Sequence, residues 1–210
     1  RLMDLIRREN NYASLPVSSG YNYCNGRILP ANHLPYRGRM VALNILPRLT
    51  EKYTHKLAHE THLQMFITQN VGRNSNIDNA LGLTGSNIEW IGNEVSCGVG
   101  MQRIDVMLSI AESETQRIIM PIELKSVPAS VDNIRQINRY IDWIEQYYTP
   151  NRPSTICPVL LCKSDVASLP LQVKQTFSEF NEHASGRYLP LIYVEYYISG
   201  NSIIFNRVTY

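Results

Sequence analysis

The feature that most constrains this chain is a pair of segments, RIDVMLSI at 103–110 and RIIMPIELK at 117–125, whose apolar residues recur with a period of two across a polar link, AESETQ. Such alternation is what a half-buried strand needs, and a link of that length makes the pair an antiparallel hairpin. Successive side chains of a strand point to opposite faces. Ile104, Val106, Leu108 and Ile110 are therefore expected on one face with Ile118, Met120, Ile122 and Leu124, and Asp105, Glu123 and Lys125 on the other.

The neighbouring periodicities complete an α/β fold, a mixed central sheet flanked by helices. A helical period runs from about Leu49 to Asn70, with Tyr53, Leu57, Leu63 and Ile67 on one stripe, and a polar loop, GRNSNIDNALGLTGSN, follows. IEWIGNEVSCG then reads as a strand ahead of the hairpin. After it comes a helix from about Ser130 to Tyr148, with Ser130 as N-cap and Val131, Ile134, Ile137, Ile141 and Ile144 as its apolar face. STICPVLLCK reads as a buried strand, LQVKQTFSEFNEH as a helix, and LIYVEYYI with SIIFNRVTY as a terminal hairpin turning at Ser199 to Asn201. Residues 9–37 hold no sustained period. The expected division is a basic irregular arm over 1–49, for DNA contact or dimerisation, and one catalytic-sized domain over 50–210.

Composition excludes several classes. With 210 residues, 44% of them apolar and 18% charged, the chain can bury enough surface to offset its ordering entropy, so it is not a disordered protein. No stretch approaches the roughly 18 apolar residues of a membrane span and no signal peptide opens the chain, which predicts a cytoplasmic protein without a membrane partner. The start at Arg1 rather than Met reads as a trimmed chain or a piece of a longer one. Cys24, Cys97, Cys157 and Cys162 form no CxxC pair and are expected as buried thiols. Residues 1–50 carry seven Lys or Arg against two acids, a net of +5, although the whole chain is only +2. Charge gathered in this way suits a polyanionic partner.

Three residues on the polar face of one hairpin carry the chemistry. Two neighbouring carboxylates, Asp105 and Glu123, repel unless a cation lies between them, and hard oxygen donors select Mg2+. An ammonium on the same strand, Lys125, can orient water or offset charge on a phosphate oxygen. Glu60 falls within the helical stripe expected to face the core, where an unpaired carboxylate is costly, so it is expected to be paired or metal-bound. Gln136 and Tyr140 lie one turn apart on the flank of the following helix. The run HKLAHETH invites a zinc reading, but position 63 is Leu and position 58 is Ala, so neither HExxH nor its inverse is present. His55 and His59 are expected on the polar side of the helix, facing solvent or phosphate.

Glu60 on a helix, Asp105 in RIDV, Glu123 and Lys125 in IELK across a hairpin, and Gln136 with Tyr140 in QINRY together resemble the PD-(D/E)XK nuclease superfamily. The stretch ETHLQMFITQN with the hairpin and the Gln-xxx-Tyr helix is most similar to the branch of RecB-type nuclease domains and NucS-type mismatch endonucleases. The resemblance spans about residues 50–163, and Ile104 stands where the superfamily name has proline. It implies a restriction endonuclease-like α/β/α core and Mg2+-dependent hydrolysis of DNA. Asp105, Glu123 and the backbone carbonyl of Leu124 would bind the metal and Lys125 would position or activate water. Glu60 would complete the carboxylate set, while Gln136 and Tyr140 would contact phosphate or brace Lys125. Arg37, Arg39, Asn44 and Arg48, with Tyr140, are the expected DNA-contacting residues. Three readings follow. A type II site-specific restriction endonuclease, acting as a homodimer on double-stranded DNA, is preferred because the first 50 residues hold no visible second domain. The others are a repair endonuclease for mismatched or branched DNA, and a binding module that has lost catalysis.

Overall fold

A computed structural model of the chain describes residues 21–24, 27–30, 43–98, 102–113, 115–165 and 168–210. The chain divides into two compact units, Arg1–Leu43 and Asn44–Tyr210. In the first, strands β1 (Tyr21–Cys24) and β2 (Arg27–Pro30) pair antiparallel, Tyr21 opposite Pro30 and Cys24 opposite Arg27. That hairpin falls where the sequence has no visible period, because each strand is only four residues long. The second unit begins ahead of the expected boundary at residue 49, since its first helix buries Leu49 completely.

That unit is an α/β fold with a seven-stranded mixed sheet. Helices α1 (Leu46–Thr54), α2 (Glu60–Asn70) and α3 (Ser75–Leu81) come first. Strands β3 (Asn87–Ser96), β4 (Arg103–Ala111) and β5 (Arg117–Lys125) follow as an antiparallel meander. Helix α4 (Val131–Trp143) continues through one π-helical turn at Ile144–Tyr148. Then come β6 (Thr155–Ile156), β7 (Val159–Lys163), α5 (Leu171–Glu182), β8 (Ile192–Ser199) and β9 (Ser202–Val208). The order across the sheet is β3-β4-β5-β7-β8-β9, with β6 beside β5; β5, β7 and β8 run parallel and β9 returns antiparallel. Cys157 and Pro158 split the expected single strand into β6 and β7, because proline cannot donate to a ladder.

Each sheet face has its own core. Leu49, Leu63, Phe66, Ile67, Ile77 and Leu81 of α1–α3 pack on Val106, Leu108, Met120, Ile122, Leu161 and Val194. Ile134, Ile137, Ile141, Val173 and Phe177 of α4 and α5 pack on Met107, Ile119, Leu160 and Tyr193. Helix α4 starts at the expected residue: Ser130 and Asn133 form a reciprocal capping box, and each fully buried isoleucine contributes about 1.5–3 kcal/mol.

Three local expectations are corrected. The helix expected over 49–70 is two helices. Lys56 has φ +56°, a left-handed conformation that ends α1, and Leu57 is 56% exposed instead of joining the stripe. Residues 75–81, expected as loop, form α3, capped by the Asn74 side chain on the Asn76 N–H and closed by Gly82 at φ +73°. Ile104 lies in the α4–α5 core and not with Val106, Leu108 and Ile110. Strict alternation therefore reverses at Asp105.

Candidate functional site

The parallel strands β5 and β7 end together, Lys125 opposite Cys162, and this end of the sheet gathers the predicted residues. Glu123 is 1% exposed. Its Oε1 lies 2.5 Å from Lys125 Nζ and its Oε2 lies 2.7 Å from the Tyr140 hydroxyl. That hydroxyl accepts from Gln136 Nε2 at 2.6 Å and is 2.7 Å from the Arg103 carbonyl oxygen. Asp105 is half-buried. Its Oδ2 accepts the Leu124 N–H at 2.8 Å, and its Oδ1 takes no hydrogen bond from the described residues.

Electrostatics follow from this packing. Burial, then the charge of Glu123, pushes Asp105 up to about 7, against the opposing pull of the Leu124 N–H and Lys125. Burial likewise raises Glu123 despite Lys125 and Tyr140. Burial alone would lower Lys125, but the hydrogen bond and charge of Glu123, followed by Glu60 and Asp105, hold its ammonium above the usual lysine range. Lys125 is thus a cation near neutral pH and not a free amine.

Several expected residues are placed differently. Glu60 opens α2, exposed to solvent rather than facing the core, and its Oε1 accepts from the Ser126 backbone N–H and hydroxyl, both at 3.1 Å. It is close enough to act on Lys125 by charge, and among the described residues no group of three His, Cys, Asp or Glu is arranged to hold a metal ion. Tyr140 has no exposed surface, so it cannot touch DNA; it braces Glu123 where Lys125 had been the expected partner. His59 is 2% exposed and not on a polar helix face. Its Nδ1 is 2.8 Å from the Leu57 carbonyl and its Nε2 2.7 Å from the Tyr196 hydroxyl, which assigns the Nδ1–H tautomer with Nε2 accepting. Of the proposed DNA contacts, Arg37 and Arg39 lie outside the described residues. Asn44 is exposed, with its Oδ1 taking the Leu46 N–H, and Arg48 is exposed and paired with Glu51 at 3.4 Å.

Sequence reasoning missed Gln64, Glu94, Arg103 and Ser126. Gln64, nearly buried on α2, donates to the Asp105 carbonyl oxygen at 2.6 Å and to Glu94 Oε1 at 3.1 Å. Arg103 Nη1 pairs with Glu94 Oε2 at 3.3 Å. The available signal was spacing, because Glu60 and Gln64 stand one helical turn apart and share a face. A cleft of about 970 Å3 opens at the opposite end of the sheet, among Leu81, Arg117, Cys157 and Arg207, and contains none of these residues.

The donor set suits Mg2+. Two hard carboxylates outnumber the single ammonium beside them, one carboxylate oxygen is open, and Mg2+ characteristically takes one or two protein carboxylates with water and substrate oxygens completing its shell. Against known proteins, the chain matches no family model, and no curated protein matches it.

Proposed function

We propose that this chain is a Mg2+-dependent endonuclease that hydrolyses phosphodiester bonds in double-stranded DNA. The observation that carries the reading is the grouping of two carboxylates, Asp105 and Glu123, with the single ammonium of Lys125, where burial and then the charge of Glu123 push Asp105 up to about 7. Asp105 and Glu123, with the Leu124 carbonyl, are the residues that would hold Mg2+. A bound Mg2+ would supply positive charge to the phosphoryl oxygens and acidify water. Lys125, fixed by Glu123, presents its ammonium where it orients the attacking water and offsets charge building on the phosphate. Tyr140, itself held by Gln136, fixes Glu123 from the side away from Lys125. Lys125 acts as a positioned cation, since its partners keep it protonated.

The specificity class takes two forms. A type II restriction endonuclease needs two such sites on one duplex and therefore a homodimer with two-fold symmetry. A mismatch- or structure-specific repair endonuclease is favoured by a different observation: Arg1–Leu43 is a compact unit of its own, which removes the ground for reading a single self-contained cutter. The test is a digest of phage-length duplex with Mg2+, beside EDTA and Lys125→Ala controls. Discrete Mg2+-dependent bands support restriction. Cleavage confined to mismatched or branched duplexes supports repair, and no cleavage of any of them overturns the enzyme. Sedimentation of the protein free and on DNA gives the oligomeric state, with a monomer in both ruling out the symmetric cutter.

A further inference from the structure

The ladders around β4 are interrupted at Asp105. Between β3 and β4, Asn93 pairs with Val106 and Val95 with Ile104, but Glu94 and Asp105 between them form no pair. Between β4 and β5, pairing stops at Val106 and Ile122. Asp105 is therefore outside both ladders, at the point where side-chain alternation reverses and Ile104 turns into the α4–α5 core. A main-chain carbonyl released from a sheet needs another donor. Here the donor is Gln64, which reaches from α2 on the opposite face of the sheet with its Nε2 2.6 Å from the Asp105 oxygen. The same amide nitrogen has a second proton, directed to Glu94 Oε1 at 3.1 Å. Glu94 has φ +51°, a strained value for a side chain of its type, and Arg103 holds its other oxygen. One amide thus ties together the two facing residues, Glu94 and Asp105, that the β3–β4 ladder leaves unpaired at this end.

We propose that Gln64 is a positioning residue for Asp105: by holding the Asp105 carbonyl off the sheet, it keeps the carboxylate turned to the Leu124 N–H with Oδ1 open toward the metal-binding pole. This rests on the nuclease reading for its consequence, though not for its geometry. Gln64 touches neither substrate nor the reacting atoms. An ordinary ladder at this position would carry the Asp105 carbonyl to β3 or β5 and extend the alternation of Val106, Leu108 and Ile110 to Ile104.

The test uses Gln64→Met, which keeps the length of the side chain without donors, and Gln64→Lys, which restores a donor that can reach both acceptors. In Gln64→Met, kcat falls about 10–100-fold and the Mg2+ concentration for half-maximal cleavage rises about tenfold, the usual scale for a residue that orients a metal ligand. Duplex affinity in EDTA stays within about twofold, because phosphate contacts supply it. Amide exchange at Leu124, followed without metal, speeds up about tenfold or more as the Asp105 acceptor is lost. Gln64→Lys recovers most of the rate and the protection. Wild-type kcat, Mg2+ dependence and Leu124 exchange in Gln64→Met would overturn the proposal, and so would equal loss in the Met and Lys variants, which assigns Gln64 to packing. If the wild-type chain neither cuts DNA nor binds Mg2+ by calorimetry, the nuclease reading falls. Leu124 exchange then decides the positioning role: faster in Gln64→Met upholds it, unchanged overturns it.

Discussion

The two ends of strand β5 carry the same residue types in opposite electrical states. At its start, Arg117 makes two bonds to Glu89, at 2.9 and 3.1 Å, and Arg152 adds a third at 2.6 Å. Among the described residues, one carboxylate there faces two guanidiniums in contact with water, and the hydrogen bond from Arg117 leads the effects that lower Glu89 below the usual carboxylate range. At the other end, about 20 Å along the strand from Arg117 to Glu123 at about 3.3 Å per residue, the half-buried Asp105 and the buried Glu123 face one ammonium, and both carboxylates are raised. Surplus of cation plus solvent gives a surface ion pair, whereas surplus of anion plus burial leaves a demand for positive charge. Sequence spacing alone does not distinguish these ends, because an acidic and a basic residue on a strand face are common to both.

The largest expected contrast between the two ends is in catalysis. Asp105→Ala, Glu123→Ala and Lys125→Ala each lower single-turnover cleavage by about 1,000-fold or more, the scale of removing a preorganised charge from a site of phosphoryl chemistry. Duplex binding in EDTA survives in all three, since phosphate contacts elsewhere provide affinity independently of cleavage. Gel-shift and single-turnover assays on the same preparations separate the two effects. Equal loss of binding in the three variants contradicts the assignment.

Next in size is Tyr140→Phe. It removes the hydroxyl that receives Gln136 and stands against Glu123 Oε2 and the Arg103 carbonyl, leaving buried polar atoms without partners. Its expected cost is about 1–3 kcal/mol of stability and about 10–100-fold in rate. Urea denaturation and kcat measure both. A drop in stability with an unchanged rate would make Tyr140 a core residue alone.

Period and capping carry much of this fold, and their limits are physical. The hairpin of β4 and β5, the Ser130 cap and the isoleucine face of α4 are set by near neighbours, so they are legible in the chain. The break between α1 and α2 is not, because its anchor is the hydrogen bond from the Tyr196 hydroxyl to His59, which ties the N-cap of α2 to the far strand β8. Helix α3 has only seven residues, too short for a period to emerge, although Asn74 and Gly82 mark its ends. At the site, Asp105, Glu123, Lys125 and the Gln136–Tyr140 pair were legible as a group. The exposure of Glu60, the burial of Tyr140 and the part played by Gln64 were not, since each depends on where α2 or α4 lies over the sheet.

A third prediction concerns pH without metal. Burial and the charge of Glu123 push Asp105 up to about 7, above the usual carboxylate range, so the folded protein holds a proton over this interval that the unfolded chain releases. Its contribution is therefore most favourable below the unfolded pKa and is lost as pH rises through about 7. The difference in unfolding free energy between wild type and Asp105→Asn, measured in EDTA, isolates it: the variant gains relative to wild type from pH 5 to pH 8. Mg2+ reverses the trend, stabilising the wild type more at pH 8 than at pH 5.5, because a cation replaces the proton. A pH-independent difference would place Asp105 in water.

The smallest expected effect belongs to the other end of the strand. Glu89→Gln removes the carboxylate that joins Arg117 and Arg152 but leaves both guanidiniums in contact with solvent, where exposed ion pairs contribute little. Cleavage should stay within about twofold of wild type and its Mg2+ dependence should not move. The informative control is added salt. Screening weakens the interactions of exposed charges far more than those of buried ones, so raising ionic strength should narrow any stability difference between wild type and Glu89→Gln while leaving that between wild type and Asp105→Asn largely intact. If both differences faded together, the two ends of β5 would be equally solvated, and the surplus of negative charge at Asp105 and Glu123 would lose its power to hold a divalent cation.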